Sequence, residues 1–512
     1  MRGPHNFWRL LKTGATFERS GSLDLAMDAL SAPRSLKIIS KLLVFPFKYF
    51  GLKGDLKQPP ILRALTALGP AYIKFGQLLS TRPDVVGQKL ADELKVLQDA
   101  LPPFNQQIAI KTIERELDSQ LGDLFSSFSE PIAAASLAQV HQATISGTDQ
   151  VVAVKVLRPG VEKAFLKDVD AFYLLAKIVE LFSKSSRRLK PVAVIEHFEV
   201  IVREELDLRM EVSAAAEFKS NTVKDEHFKV PSVFWDLSSR RILTTEWVSG
   251  ISIGSVEEIR DSGADMEALA TLIIQSFLRQ ALRDGFFHGD MHQGNLKLGA
   301  DGTLFVMDFG IMGRIDSYTR RVYAEILMGF LQKDYRRVAE VHFEAGYVPQ
   351  NQDVEAFAQA LRSVGEPIFG VEAKQISMAR LLAHLFDVTE RFGMATRTEL
   401  ILLQRSMVVV EGVSRSLDPN MNMWETARPV VENYIKENLG PKAFLNDAVS
   451  TIRALSRFGP HLPFIVEKNL HSLLQKDFVP IQRRRMPALV GGMFLGAILG
   501  SCCTILLAIL NS

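Results

Sequence analysis

The alternation of apolar and polar positions is clearest in two short stretches, 136–144 and 151–157, divided by Ser146-Gly147-Thr148-Asp149. β-branched runs around a Gly-containing turn predict a pair of strands. Helical spacing follows over 161–182. A polar, basic break at 183–190 leads to a second predicted helix over 191–219. Val233-Phe234-Trp235 and 242–248 read as two further strands, and from 255 onward the pattern is mainly helical. Upstream, 61–122 predicts more helices, among them 72–80 and 87–100, the latter stopped by Pro102-Pro103. No internal repeat or low-complexity tract interrupts this order.

The two ends carry a different pattern. Residues 488–510 hold no charged side chain over 23 positions. At ~1.5 Å per residue that is about 34 Å of helix, enough to cross a bilayer core. Arg483, Arg484 and Arg485 precede it and predict a cytoplasmic side for the rest of the chain. The competing expectation for 488–510 is a buried core helix. Gly492, Gly496 and Gly500 recur every four positions, which either allows a homodimer through close helix contact or merely suits a bilayer. Residues 1–58 are basic and apolar. Within them, residues 35–50 mix Lys with large apolar groups, and either lie on an anionic membrane surface or form a core-facing helix with snorkelling lysines.

Composition narrows the classes. The chain has 512 residues, 47% hydrophobic and 23% charged, with a net charge of +2. That balance gives no support to nucleic-acid binding. The only cysteines, Cys502 and Cys503, are adjacent, so there is neither a disulfide framework nor a zinc spacing. The first twenty residues lack the apolar core and cleavage site of a secretory signal, although a transit peptide stays open.

Candidate chemistry lies in the middle of the chain. His288-Gly289-Asp290-Met291-His292-Gln293-Gly294-Asn295 is followed by Asp308-Phe309-Gly310, and Val152-Ala153-Val154-Lys155-Val156 lies upstream. Lys155, Asp290, Asn295 and Asp308 stand in the order of a protein-kinase-like site. Phosphoryl transfer needs a cation on the phosphates, a carboxylate beside the nucleophile and oxygens that hold Mg²⁺. Lys155 is expected on the phosphates of ATP or ADP, Asp290 at the nucleophile, and Asn295 and Asp308 on the metal. Glu211 is expected to pair with Lys155. Glu246 and Val248, at the end of the last predicted strand, lead into the hinge between lobes and are candidates for nucleotide contact. Glu205 and Asp207 sit on opposite sides of an ideal helix, so both can face one site only if that helix is distorted. The competing expectation for 204–211 is a solvated acidic face.

Three departures from an ordinary protein kinase are visible. The phosphate-covering loop reads Ala133-Ala134-Ala135-Ser136 in place of a glycine-rich loop. Gly289 replaces the usual Arg of the catalytic loop. No Ala-Pro-Glu follows Gly310, and helical pattern resumes soon after Asp316, which argues against peptide substrates. Together with Lys74-Phe75-Gly76-Gln77 and Glu205-Leu206-Asp207, these residues resemble the UbiB family of atypical kinase-like proteins of ubiquinone biosynthesis, over roughly residues 60–430 and the carboxyl-terminal segment. The family carries a KxGQ motif, an alanine-rich loop and an ExD motif.

The resemblance implies an α+β, bilobal atypical protein-kinase-like fold with an N-terminal helical extension and a C-terminal transmembrane helix. The expected divisions are 1–58, 59–123 (the KxGQ extension), 124–248 (N-lobe), 249–440 (C-lobe), 441–487 and 488–510. It implies that the KxGQ helix packs over the site, with Lys74, Gly76, Gln77, Glu205 and Asp207 as regulatory residues, and that Mg-ATP is used for hydrolysis or small-molecule phosphoryl transfer. It further implies membrane lipids, prenylated quinone precursors and other ubiquinone-pathway proteins as partners, at a bacterial inner membrane. Met291 and Gln293 stand where many members carry proline, which leaves a less rigid loop but intact Asp290 and Asn295. Many bacterial members carry two carboxyl-terminal apolar segments where one is found here.

Competing expectations are a metal site of His288, Asp290 and His292, with His288 otherwise ordering the loop; a small-molecule kinase with a similar His-Gly-Asp loop; a nucleotide-binding pseudokinase scaffold; and an accessory factor for polyprenylphenol hydroxylation. The absence of GxGxxG argues against a flavin hydroxylase.

Overall fold

Four antiparallel strands, in the order β1-β2-β3-β5, make the first sheet: β1 (Phe125–Ala134), β2 (Ala138–Ile145), β3 (Val151–Leu157) and β5 (Ile242–Glu246). The computed structural model describes residues 5–29, 38, 40–42, 44–80, 86–94, 97, 103–135, 137–182, 191–369, 388, 391–394 and 398–438. Apart from Asn438, the second compact unit, Asn438–Ser512, lies outside them.

Strand β3 shows how the sheet positions a cation. Val152, Val154 and Val156 are fully buried on one face, packed with Ala109 and Ile113 of the helix Gln106–Leu117. Side chains alternate along a strand, so Lys155 is turned to the other face. Burying each valine contributes on the order of 1.5–3 kcal/mol, which secures a strand that carries a lone charge.

The helix expected over 191–219 is two helices, Pro191–Glu205 and Leu208–Thr222. Asp207, at φ −124° and ψ 93°, caps the second by accepting the Arg209 N–H at 3.2 Å. An Asp that can serve as an N-cap competes with the helix interior, and here the cap wins. The break removes the geometric conflict between Glu205 and Asp207.

Other expectations shift. The strand expected from 136 starts at Ala138, and its partner β1 is a strand that the apolar pattern did not announce. Val233 makes only an isolated bridge to Thr245, and Trp235–Leu237 is a 3₁₀ turn. Of the helix expected over 87–100, Gln88–Leu94 is present among the described residues.

A second sheet runs β4-β9-β8-β6: β4 (Phe228–Lys229), β6 (Ile251–Ser252), β8 (Leu296–Leu298) and β9 (Leu304–Val306). Strand β4 precedes β5 in sequence yet pairs parallel with β9, so the expected 124–248 division does not separate the sheets. A third pair, β7 (Phe286–His288) with β10 (Met312–Arg314), carries the catalytic loop. Gly313 is required there, because a Cβ would stand 2.1 Å from the Phe287 ring. The helices Met266–Arg279, Ser317–Gln332 and Thr398–Leu417 close around Ile273, Phe277, Phe287 and Val410.

Among the described residues no helix is long and apolar enough to cross a membrane. Residues 488–510, with Gly492, Gly496 and Gly500, lie outside the described residues, as do Arg483, Arg484 and Arg485.

Candidate active site

Lys155 reaches across from β3 to the helix Leu208–Thr222. Its Nζ donates to both Glu211 oxygens at 2.9 Å and lies 3.5 Å from Asp308 Oδ1. Glu211 is buried. Burial raises its carboxyl to about 7 against the pull of Lys155. Burial also works against the Lys155 ammonium, but the Asp308 and Glu211 carboxylates outweigh it and hold the lysine above its ordinary range. Lys155 holds Asp308 well below the usual carboxylate range, and Lys74 adds to the same effect. The Lys155 ammonium and the Asp308 carboxylate are therefore both charged at neutral pH.

His288 orders two loops of the candidate site. It is fully buried, and burial lowers its pKa, so the ring is neutral. Its Nδ1 accepts the Asp290 N–H at 3.1 Å, and its Nε2 donates to the Asp308 carbonyl at 2.8 Å. One imidazole thus ties Asp290 to Asp308. Asn295 Nδ2 donates to the Asp290 carbonyl at 3.0 Å, which leaves its Oδ1 as the acceptor end. Asp308 adopts φ +60°, a left-handed conformation that Asp tolerates better than most residues, and its Oδ1 accepts the Gly310 N–H at 3.3 Å. Phe309 is buried against Phe218, on the helix that carries Glu211, with ring centroids 5.5 Å apart.

The donor set suits magnesium. Asp308 and Asn295 offer only oxygen ligands to a metal, and Mg²⁺ is commonly held by one or two carboxylates plus substrate phosphates. By contrast, no group of three or more His, Cys, Asp or Glu among the described residues is placed to hold an ion. The metal reading of His288, Asp290 and His292 fails on contacts, since His288 is spent on the backbone and His292 Nδ1 accepts the Gly294 N–H at 3.0 Å.

The remaining sequence candidates divide. Lys74 lies 3.5 Å from Glu205, both mostly buried, so the KxGQ helix Pro70–Ser80 does reach the ExD segment. Asp207 is engaged by Arg209, which holds its carboxyl below the usual range. Gly76 is packed against leucines: a Cβ would stand 2.5 Å from Leu97 and 3.0 Å from Leu65. Gln77 donates to the Leu97 carbonyl at 3.2 Å. These contacts seat the helix against the segment around Leu97. Ala133 and Ala134 belong to β1, paired with Val140 and Gln139. Ala135 begins the turn, and Arg158 Nε and Nη2 hold its carbonyl at 3.0 and 2.9 Å. Ser136 lies outside the described residues. Glu246 accepts the Ser232 N–H at 3.1 Å, and the Val248 carbonyl accepts from Lys297 at 3.1 Å. The hinge groups expected to meet a nucleotide are partly committed within the protein.

A family model described as the ABC1 atypical kinase-like domain matches residues 96–342, and one described as the UbiB helical domain matches 361–422. The chain is 38% identical over 431 residues to "Probable protein kinase UbiB" of Pseudomonas entomophila, covering 82% of this chain and 79% of that protein. The chain belongs to the UbiB family. A second UbiB relative, from Marinobacter nauticus, is 35% identical and covers 91% of this chain and 86% of its own length. Among solved structures, the Rv3197–erythromycin complex from Mycobacterium tuberculosis shares the fold at TM-score 0.51 and 23% identity, covering 77% of this chain and 98% of that one. The UbiB assignment brings the kinase-like fold of mixed helix and sheet with it.

Two site features escaped the sequence reading. In this UbiB chain Gly289 has no room for a side chain, because a Cβ would stand 3.0 Å from the Ile311 carbonyl and 2.9 Å from its Cγ2. The Arg found there in ordinary kinases is excluded by packing. Ser406, fully buried in the helix Thr398–Leu417, shares its hydroxyl proton between the carbonyls of Gly289 at 3.0 Å and Leu402 at 2.9 Å. It couples the UbiB helical domain to the residue before Asp290. Nothing local in the sequence signals a contact over 117 positions. Ser406→Ala is expected to lower turnover about tenfold, the equivalent of ~1.4 kcal/mol, with KM for ATP unchanged and with recovery in Ser406→Thr. Steady-state kinetics checks it, and an unchanged kcat would reduce Ser406 to packing.

Proposed function

We propose that this chain is a membrane-anchored atypical kinase or ATPase that uses Mg-ATP in support of ubiquinone biosynthesis, with a small molecule or water as acceptor. The observation that carries the reading is the assembled cluster of Lys155, Glu211 and Asp308, held beside Asp290 and Asn295 by one buried histidine.

Lys155, oriented by Glu211, would contact the phosphates. Asn295 and Asp308 would hold magnesium, which when bound neutralises charge on the phosphates. Asp290 would orient the nucleophile through its carboxylate. The turn after Ala134, pinned by Arg158, would cover the nucleotide with a shorter and stiffer cap than a glycine loop. Lys74, paired with Glu205, would gate the acceptor side. Between Phe309-Gly310 and the helix Ser317–Gln332 the chain has room for little beyond β10. That supports a non-peptide acceptor, since no long platform for a substrate chain is present among these residues. Prenylated quinone precursors and other pathway proteins are the partners this reading names, at a bacterial inner membrane, with a homodimer through the Gly492, Gly496 and Gly500 face.

The test is ATP hydrolysis by the purified full chain, with and without vesicles and a prenylated phenol. Magnesium-dependent turnover that rises with lipid and phenol supports the proposal. Nucleotide binding with no turnover in any condition would replace it with a scaffold.

A further inference from the structure

Seventeen large hydrophobic residues are exposed among the described residues, and eight of them fall within positions 7–56. The other nine are scattered singly, which is ordinary for a protein surface. The first group is concentrated. Phe7 is 61% exposed, Trp8 65%, Leu42 69%, Phe45 68%, Tyr49 82% and Phe50 78%. A patch of large apolar side chains on that scale marks an interaction surface.

The patch is built. Phe47 packs edge-on against Trp8, with ring centroids 6.4 Å apart, and lies the same distance from Phe50. Arg19 holds the 3₁₀ helix Phe45–Phe50 by donating to the carbonyls of Tyr49 at 3.1 Å and Gly51 at 2.6 Å. Gly51 sits where a Cβ would stand 2.4 Å from the Ala15 backbone, so the two elements touch directly. Other positions of the helix His5–Ser20 are spent on the fold: Thr13 Oγ1 lies 2.6 Å from the Tyr72 hydroxyl, Arg9 pairs with Asp168, and Ala15 and Thr16 are buried beneath the segment at Gly51 and Leu52. The exposed aromatic face is therefore the uncovered side of a fixed element. The large apolar side chains named here point outward.

Charge selects the occupant. Residues 1–58 contain ten Lys and Arg against four Asp and Glu, in a chain whose total net charge is +2. A second copy docked on the same face would bring like charge to like charge. An anionic bilayer surface meets both features, since Trp, Tyr and Phe settle at the headgroup boundary while each nearby Lys or Arg adds about 1 kcal/mol.

We propose that the aromatic face formed by the helix His5–Ser20 and the 3₁₀ helix Phe45–Phe50 is a docking surface for an anionic lipid bilayer. This deepens the membrane part of the proposed function, but it requires neither the carboxyl-terminal apolar segment nor turnover. Because Thr13 meets Tyr72 on the KxGQ helix, docking would also set the orientation of the site relative to the membrane.

The experiment uses the full chain with vesicles of brominated phosphatidylcholine, alone or mixed with brominated phosphatidylglycerol, and reads tryptophan emission. Trp8 is one of four tryptophans. Quenching in the anionic vesicles that is mostly lost in Trp8→Phe is the expected result. Equal quenching in phosphatidylcholine alone would overturn the anionic assignment. Unquenched Trp8 in vesicle-bound protein would overturn the docking surface, whatever the ATPase result. A lipid-independent shift of Trp8 emission with protein concentration would assign the face to a second copy. A Trp8 shielded under all conditions would assign it to residues 439–512.

Discussion

Asp308→Asn is expected to lower magnesium-dependent ATP turnover by roughly 10³-fold or more, with little loss of fold. The carboxylate is held ionised by Lys155 and is half exposed, so it is available to a metal. The amide keeps the shape and the turn but removes the charge. His288 bonds the Asp308 main-chain carbonyl, so the link between the two catalytic loops survives the substitution. The loss should therefore fall on kcat and on the magnesium dependence, with the melting temperature close to wild type. Unchanged turnover would take the metal away from Asp308 and with it the proposed role of Asn295.

Lys155→Met should be costly in a different way. It removes the ammonium that compensates a carboxylate only 7% exposed. Breaking a buried pair from one side costs about 3–5 kcal/mol, because the remaining charge is left unpaired. Glu211 can avoid part of that cost by taking up a proton. Burial already raises its carboxyl to about 7, and loss of Lys155 raises it further. A carboxyl with a raised folded-state pKa favours the folded protein below its unfolded value, and that advantage is lost as pH rises through the folded value. Lys155→Met should accordingly be nearly as stable as wild type in mild acid and clearly less stable above neutral pH. Adding Glu211→Gln should restore most of the stability at high pH and none of the turnover. Thermal melts across pH and single-turnover assays on the two variants check this. A double variant as unstable as the single one would mean that Lys155 acts through packing rather than through its charge.

The candidate site was legible because it lies in residue identity and spacing. Lys155 within valines, and Asp290, Asn295 and Asp308 at their separations, name the groups that phosphoryl transfer needs, and the structure brings Lys155, Glu211 and Asp308 together. His288 was legible as a loop-ordering residue, and two backbone contacts make it one. The strands β2 and β3 and the helix Val161–Phe182 followed from periodicity, since burial of one face imposes a repeat on the sequence.

Periodicity was blind where the local choice was close. Asp207 fits a helix interior poorly and a cap well, and only the packing of the two flanking helices made the break certain. The alanines of the cover loop carry no mark that distinguishes strand from turn, so Ala133 and Ala134 were placed one element too late. Gly76 packs against Leu97 and Leu65, which lie outside its own helix, and no local pattern names them.

By itself, the sequence determined the family, the candidate site residues and the hydrophobic repeats that form the elements. Tertiary structure alone decided that Ser406 reaches the loop of Asp290, that Gly289 leaves no space for a side chain, and that the aromatic residues near the amino end face outward. The reason is physical. A repeat records that a residue is buried or exposed within its own element, whereas the identity of its partner depends on how distant elements pack, and a contact across the chain leaves no local pattern.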